Sequence, residues 1–142
     1  MGALRKEFQN NSGITSLEYW LEKVSKDYGI SRVEAKHMLQ KEVPKESYYQ
    51  KKIKDALKTE YPEALVVKVA QAHFSEPGLP DLMCVIKGHY FGIEVKRPLF
   101  GKLAKTQGVM ARRIERAGGT PMVVSFPEEA INIIKEYFNN VH

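Results

Sequence analysis

Two apolar runs in the middle of the chain form its clearest pattern of hydrophobic and polar positions. Residues 82–86 (LMCVI) and residues 89–95 (HYFGIEV) are rich in β-prone side chains, and only Lys87 and Gly88 separate them. A two-residue connection with glycine in second place is typical of a β-hairpin, although lysine is less common than asparagine or aspartate in first place. The pattern therefore predicts two antiparallel strands whose pairing is set by a tight turn.

This pairing gathers charged residues at the open end of the hairpin. It places Asp81 opposite Glu94, and such residues project to the same face with Cβ atoms about 4.5–5.5 Å apart. Lys96 lies two residues beyond Glu94, so the alternation of a strand directs it to that face too. Two neighbouring carboxylates repel each other unless a positive charge lies between them, and Mg²⁺ prefers such oxygen ligands. The alternative is an exposed Glu–Lys pair beside an aspartate in a turn.

Helical spacing of apolar residues dominates the rest of the chain. It predicts helices over about 15–28, 31–40, 45–60 and 102–117 and a last helix from residue 127, with further strands at 65–69 and 121–125. From residue 44 onward the order of elements is αβββαβα. Because a helix joins the third and fourth strands, we expect them to run parallel in a mixed sheet flanked by helices. The predicted fold class is therefore α/β.

The first part of the chain is predicted to be an extension of this α/β domain. Residues 1–14 show no periodicity, and we expect them to be flexible. Residues 15–43 form two predicted helices joined at Gly29, the first with a capping box that starts at Thr15. Such a pair is either a helix-turn-helix that reads DNA or a helical hairpin that packs on another surface, and the hairpin is the commoner case. The predicted α/β domain spans residues 44–142.

Composition and charge narrow the class of function. The chain of 142 residues suffices for one domain, and its net charge of +5 suits a polyanionic partner such as DNA. The single cysteine, Cys84, excludes an internal disulfide and a cysteine-rich zinc site, and its position in a strand predicts burial. Because no apolar run is long enough to span a membrane and no signal-peptide pattern is present, we expect a soluble intracellular protein.

The motifs at the hairpin resemble those of a known nuclease superfamily. The sequence resembles the signature of the PD-(D/E)xK nucleases. The matching features are the Pro-Asp pair that ends Gly78–Asp81, the hairpin that follows it, and the sequence EVK at Glu94–Lys96. The full GLPD sequence, with Gln107 eleven residues past the lysine, narrows the resemblance to the virus-type replication-repair (VRR-NUC) branch. The resemblance covers roughly residues 46–138. It implies a restriction-endonuclease-like core and metal-dependent cleavage of DNA.

The resemblance implies a metal site formed largely by the hairpin. Asp81 and Glu94 would coordinate Mg²⁺ or Mn²⁺ together with the backbone carbonyl of Val95. The N-terminal helix of the family carries a glutamate near the metal, and Glu46 matches it on the inward face of a predicted helix. The alternative role of Glu46 is electrostatic stabilisation of that helix N-terminus.

The resemblance also implies which residues act on the substrate. Lys96 would position the attacking water, and Gln107 would hold the arrangement. Gln107 occupies an apolar position of its predicted helix, where a polar amide needs hydrogen-bond partners. His73, in the loop at 70–80, has the chemistry of a general base, but the resemblance gives it no part.

Basic residues that follow the hairpin are expected to contact DNA. They are Arg97, Lys102, Lys105, Arg112, Arg113 and Arg116. Such a set forms either a solvated face or a phosphate-binding surface, and its position directly after the EVK strand favours contact with phosphates.

The whole sequence therefore predicts a metal-dependent DNA endonuclease that hydrolyses phosphodiester bonds. By resemblance to small viral proteins, we expect branched DNA such as a Holliday junction as its substrate, in replication, recombination or repair. Paired incisions in such a junction would require a homodimer. A viral protein would act in the cytoplasm of a bacterial host, and a eukaryotic one in the nucleus. The alternative is a non-catalytic nucleic-acid-binding or adaptor protein on a nuclease-like scaffold.

Overall fold

The helices and strands follow the predicted order, with one additional helix at the start. The structure is a computed structural model that describes residues 2–10, 16–71 and 76–140. The elements are α1 (Gly2–Asn10), α2 (Leu17–Tyr28), α3 (Arg32–Glu42), α4 (Glu46–Glu60), β1 (Leu65–Lys68), β2 (Leu82–Ile86), β3 (His89–Val95), α5 (Lys105–Arg116), β4 (Thr120–Val124) and α6 (Pro127–Asn140). Thr15 and His73, named above as a cap and a loop histidine, lie outside the described residues.

The chain divides into two compact units. A helical unit comprises residues 1–45 and 97–101, and an α/β unit comprises residues 46–96 and 102–142. Residues 97–101 therefore belong with the helices, whereas the sequence placed them in the domain at 44–142. Leu99 and Phe100 explain this grouping, because both pack against the apolar cluster of the helical unit.

The α/β unit contains a four-stranded sheet in the order β1-β2-β3-β4. The pairs β1–β2 and β2–β3 are antiparallel, and the pair β3–β4 is parallel. Both the αβββαβα order and the parallel crossover through α5 are confirmed. The predicted α/β fold class, a mixed sheet flanked by helices, is therefore confirmed as well.

The tight turn of the hairpin lies where the sequence places it. Lys87 has φ 51° and Gly88 has φ 82°. Positive φ at both central residues is the requirement of a type I′ turn, whose twist matches that of the two strands. Ile86 pairs with His89, and the ladder continues to Leu82 opposite Ile93. The predicted pairing is confirmed for the five residue pairs of this ladder, which ends one pair before Asp81 and Glu94.

The main core lies on the face of the sheet that carries α4 and α6. Its buried residues are Tyr49, Ile53, Leu57, Val66, Leu82, Cys84, Ile86, Phe91, Ile93, Val95, Met122, Val124, Phe126, Ala130 and Ile134. The predicted burial of Cys84 is confirmed, and this burial raises the pKa of its thiol to about 11. Alternate residues of β2 and β3 thus fill the core, as the two-residue period of a strand requires.

Helix α5 packs near the opposite side of β3. A Cβ at Gly92 would lie 3.2 Å from Ile114 Cδ1 and 2.9 Å from Pro80 Cγ, so glycine permits this close approach. The sequence predicted that this helix starts near Lys102, but it begins at Lys105. Leu103, which falls inside the helix predicted over 102–117, therefore lies before α5 and is 46% exposed.

The helical unit corrects the expectation that residues 1–14 are flexible. Within the described residues, α1 occupies 2–10, and Leu4 and Phe8 on one helical face are almost completely buried. The rings of Phe8 and Trp20 contact each other with centroids 4.5 Å apart. Two apolar residues in a polar segment are too few to show a helical period in the sequence. They stabilise α1 because they pack against residues of α2 and α3.

Helices α2 and α3 follow the predicted pattern closely. Ser16, and not Thr15 as predicted, caps α2 by accepting a hydrogen bond from Tyr19 N, and Gly29 ends that helix with φ 63°. Ser31 caps α3 in the same way through Glu34 N, and α3 continues to Glu42. None of the helices in the described part of the chain is both long enough and apolar enough to cross a bilayer.

Replacement of Phe8 by alanine tests the packing of α1. We expect Phe8→Ala to lower the free energy of unfolding by about 3–5 kcal/mol, because it leaves a cavity against Trp20. Urea denaturation followed by Trp fluorescence measures the change. Tyr28→Ala, at a ring that is 43% exposed, is the control with little expected effect. Equal stability of the Phe8 variant and the native protein would contradict a packed α1.

Candidate active site

Backbone hydrogen bonds hold the chain at the open end of the hairpin. Asp81 directly precedes β2, and its carbonyl accepts a hydrogen bond from Val69 N at 2.8 Å. Lys96 directly follows β3, and its N–H donates to Val124 O at 2.9 Å. Sheet-like hydrogen bonding thus extends one residue beyond β2 and β3, and it fixes the backbone that carries the side chains of Asp81 and Lys96.

Three side chains form a closed hydrogen-bonded triangle at this end of the sheet. Lys96 Nζ lies 3.0 Å from Glu94 Oε2. Gln107 Nε2 donates to the same carboxylate oxygen at 2.7 Å, and Lys96 Nζ donates to Gln107 Oε1 at 2.9 Å. Because Glu94 is only 5% exposed, water does little to screen these interactions. We call this set the Glu94–Lys96–Gln107 triangle.

Gln107 has hydrogen-bond partners for both ends of its amide. Its Oε1 also accepts a hydrogen bond from Ala104 N at 2.8 Å, at the start of α5. Since the oxygen faces two donors and the nitrogen faces a carboxylate, only one orientation of the amide satisfies all three contacts. The sequence indicated that this amide needs partners, and the structure supplies them from the EVK strand and from the helix start.

Asp81 lies beside the triangle and contacts the backbone of β3. Its Oδ2 accepts a hydrogen bond from Val95 N at 2.7 Å. Its charge also acts on its acidic neighbours, since Asp81 raises the pKa of both Glu94 and Glu46. The structure therefore brings all four residues of the predicted metal site to one end of the sheet.

The surroundings of Glu94 disfavour the charged form of its carboxyl group. Its Oε1 is buried and accepts no hydrogen bond from the described residues. Burial is the main cause that raises the pKa of Glu94 to about 7; Lys96 opposes this effect and Asp81 adds to it. Burial likewise raises the pKa of the half-buried Glu46, with a further contribution from Asp81 and an opposing one from Lys96. Glu94 and Glu46 are therefore both stabilised as anions by the Lys96 ammonium.

These residues fit a hard divalent cation. A buried carboxylate oxygen without a donor is a ligand atom in need of a positive charge, and Asp81 lies close enough to repel it. No set of three His, Cys, Asp or Glu side chains with metal-binding geometry occurs among residues 2–10, 16–71 and 76–140. Mg²⁺ does not require one, because it is usually held by one or two carboxylates and completes its shell with water and phosphate oxygens.

Gly78 joins the segment before Asp81 to the first turn of α5. Its φ of 78° lies in the region that favours glycine. A Cβ there would lie 2.2 Å from Thr106 O and 2.8 Å from Gln107 N. The sequence did not show this contact, which links the GLPD segment to the helix that carries Gln107.

The predicted DNA-contacting residues separate into two groups. Five of them are exposed on or just before α5: Lys102, Lys105, Arg112, Arg113 and Arg116. Arg113 forms an ion pair with Glu76 at 3.5 Å. Arg97 belongs to the helical unit, where its guanidinium donates to Val43 O at 2.6 Å and Pro44 O at 3.1 Å. We therefore leave Arg97 out of the proposed DNA surface.

Comparison with known proteins gives a structural relationship only. No family model and no curated protein match the sequence. A solved structure described as a VRR_NUC domain is similar, with a TM-score of 0.51 and 23% sequence identity. The similarity covers 63% of this chain and 97% of that structure. The chain has a VRR-NUC-like fold. The resemblance drawn from the GLPD and EVK motifs is thus confirmed at the level of the fold.

Substitution of Gly78 tests its contact with α5 in this VRR-NUC-like fold. We expect Gly78→Ala to lower the free energy of unfolding by about 2 kcal/mol or more, because the methyl group collides with backbone at positive φ. The matched control is Gly108→Ala inside α5, where a Cβ meets only Leu103 at 3.9 Å. That change should stabilise the protein by about 0.5–1 kcal/mol. Urea denaturation compares the two, and equal effects would contradict the contact.

The raised pKa of Glu94 predicts a pH dependence of stability in the metal-free protein. The folded state holds a proton on Glu94 up to about pH 7, whereas the unfolded state loses it near the ordinary value of 4.5. The resulting stabilisation is complete below pH 4.5 and disappears as the pH rises through 7. Denaturation in the presence of chelator between pH 5 and 8 should show this decline.

Two variants isolate the contribution of Glu94 to that decline. Glu94→Gln should flatten it, because the amide does not titrate. Glu63→Gln, at an exposed position, should leave it unchanged. An identical decline in Glu94→Gln and the native protein would show that another group is responsible.

Proposed function

We propose that this chain is a metal-dependent DNA endonuclease that hydrolyses phosphodiester bonds. One observation carries the proposal: the Glu94–Lys96–Gln107 triangle lies beside Asp81 and leaves a buried carboxylate oxygen with no donor in the described part of the chain. The VRR-NUC-like fold supports the same assignment.

The side chains divide the work of hydrolysis. Asp81, Glu94 and the backbone carbonyl of Val95 would hold Mg²⁺ or Mn²⁺, and Glu46 would assist through water. The bound cation supplies Lewis-acid chemistry that polarises a phosphoryl oxygen and makes water more acidic. Lys96 positions the attacking water and stabilises the negative charge that develops on the phosphoryl group.

Gln107 acts through its neighbours in this proposal. Its amide fixes the direction of the Lys96 ammonium and of the Glu94 carboxylate at the same time. A water near the site thus meets an ammonium with a defined orientation, which lowers the entropic cost of the reaction. Gln107 is therefore a positioning residue that also ties α5 to the site.

We further propose that the substrate is branched DNA and that a homodimer cuts it. The exposed basic residues on and before α5 provide charge for backbone phosphates. Each chain supplies one triangle, so paired incisions in a symmetric junction require two chains related by a two-fold axis. This substrate class includes Holliday-junction-like intermediates of replication, recombination and repair, and the resemblance to phage proteins favours a viral source.

A panel of labelled DNAs tests the proposed activity. Lys96→Ala and Glu94→Gln should each lower the rate of Mg²⁺-dependent cleavage at least about 10²-fold, because each removes a charge used in the transition state. Their affinity for DNA in chelator should stay nearly unchanged. The panel contains a four-way junction, a flap, a nicked duplex and a linear duplex. Light scattering with and without the junction measures the oligomeric state.

Lys135→Ala is the control, because this exposed lysine lies on α6 and pairs with Glu60. It should cleave as the native protein does. Cleavage that survives both site substitutions would contradict the assigned roles. DNA binding without any cleavage by the native protein would instead favour the non-catalytic alternative.

A further inference from the structure

A basic cleft between α4 and the start of β2 has no function in the scheme above. It has a volume of about 190 Å³. It is lined by Ser47, Gln50, Lys51, Lys54, Lys68 and Leu82. None of these residues was among the catalytic, metal-binding or DNA-binding residues expected from the sequence. We call this feature the Lys54–Lys68 cleft.

Gln50 shows that the cleft is suited to a polar ligand. This side chain is only 8% exposed, yet its amide makes no hydrogen bond within the described part of the chain. Since the amide lines the cleft, a ligand there with oxygen acceptors would satisfy it.

The charges of the cleft specify the sign of that ligand. Within the described residues, no carboxylate lies within ion-pair distance of Lys54 or Lys68. Lys51, the third lysine, forms an ion pair with Asp55, with Nζ 3.4 Å from Oδ2. Two lysines without an ion-pair partner among the described residues, and one amide without a hydrogen-bond partner among them, therefore line one small space. A phosphate, with several acceptor oxygens and a negative charge, matches these donors.

The position of the cleft relates it to the candidate active site. Ser47 follows Glu46 in α4, and Leu82 follows Asp81 at the start of β2. Lys68 pairs with Leu82 across the sheet, so the cleft lies at the same end as the carboxylates. Its lysines come from α4 and β1, whereas the basic residues considered so far lie on or before α5. The cleft therefore offers phosphate contact on a second side of the site.

We propose that the Lys54–Lys68 cleft binds a backbone phosphate of the DNA strand that is cut. The inference rests on the proposed nuclease function and extends it, because it assigns a second phosphate site to the same strand. A strand held both at the carboxylates and in this cleft has a defined path across α4. Contact of this kind contributes affinity and register without reading the base sequence.

Binding measurements in chelator test the cleft without any contribution from cleavage. Fluorescence anisotropy with a labelled four-way junction gives the Kd at several salt concentrations. The double variant Lys54→Ala/Lys68→Ala should weaken binding about tenfold, as expected for loss of a charged hydrogen-bonded contact. The slope of log K against log salt should fall by about one, because one phosphate contact is lost.

The control has the same loss of charge at exposed positions outside the cleft. Lys58→Ala/Lys135→Ala removes one lysine from α4 and one from α6. It should change the Kd less than about twofold. Equal weakening by both double variants would overturn the proposal, since general charge would then explain the effect. If the native protein binds no DNA, the proposed function itself fails; native-like binding by the cleft variant rejects only the cleft.

The side-chain amide of Gln50 provides a second, direct readout. Its NMR resonances should shift when a short oligonucleotide is added in chelator, and this shift should disappear in Lys54→Ala/Lys68→Ala. Inorganic phosphate forms the parallel arm of the titration. If phosphate alone shifts these resonances and the oligonucleotide does not, the cleft is a site for free phosphate and the proposal is wrong.

Discussion

The buried ion pair between Glu94 and Lys96 is the interaction on which the site depends. A carboxylate this deeply buried is unstable as an anion unless donors face it, and Lys96 and Gln107 both donate to the same oxygen. The second oxygen has no donor among the described residues. Burial therefore disfavours the charged form of Glu94, and a bound cation would stabilise that form.

Two local backbone features make that interaction possible. The positive φ values of Lys87 and Gly88 set the pairing that carries Asp81 beside the end of β3. Gly78 lets the backbone approach Thr106, which holds the start of α5 against the loop before Asp81. A tight turn and a close approach thus bring the charged groups of Asp81, Glu94 and Lys96 and the amide of Gln107 to one place. Neither feature contacts substrate in the proposed mechanism, yet both govern its geometry.

Much of the α/β unit was predictable, because its signals are local. The strands at 82–86 and 89–95 and the turn between them were predicted to the residue, since β-prone runs and a glycine turn depend on near neighbours. The start of α5 was predicted about three residues early because Leu103 fits a helical stripe by spacing alone. The first helix was missed for the opposite reason. Its apolar face is only Leu4 and Phe8, and other helices supply the partners that stabilise it.

The sequence by itself determined the pairing of the hairpin, the order of the elements and the residues with suitable chemistry, because alternation and turn geometry act over short distances. Only the tertiary structure decided what each polar group contacts. It gave Gln107 three partners and turned Arg97 toward the carbonyls of the helical unit. It also left Gln50 buried beside two unpaired lysines. Burial and hydrogen bonding depend on residues far apart in the chain, which no local pattern specifies.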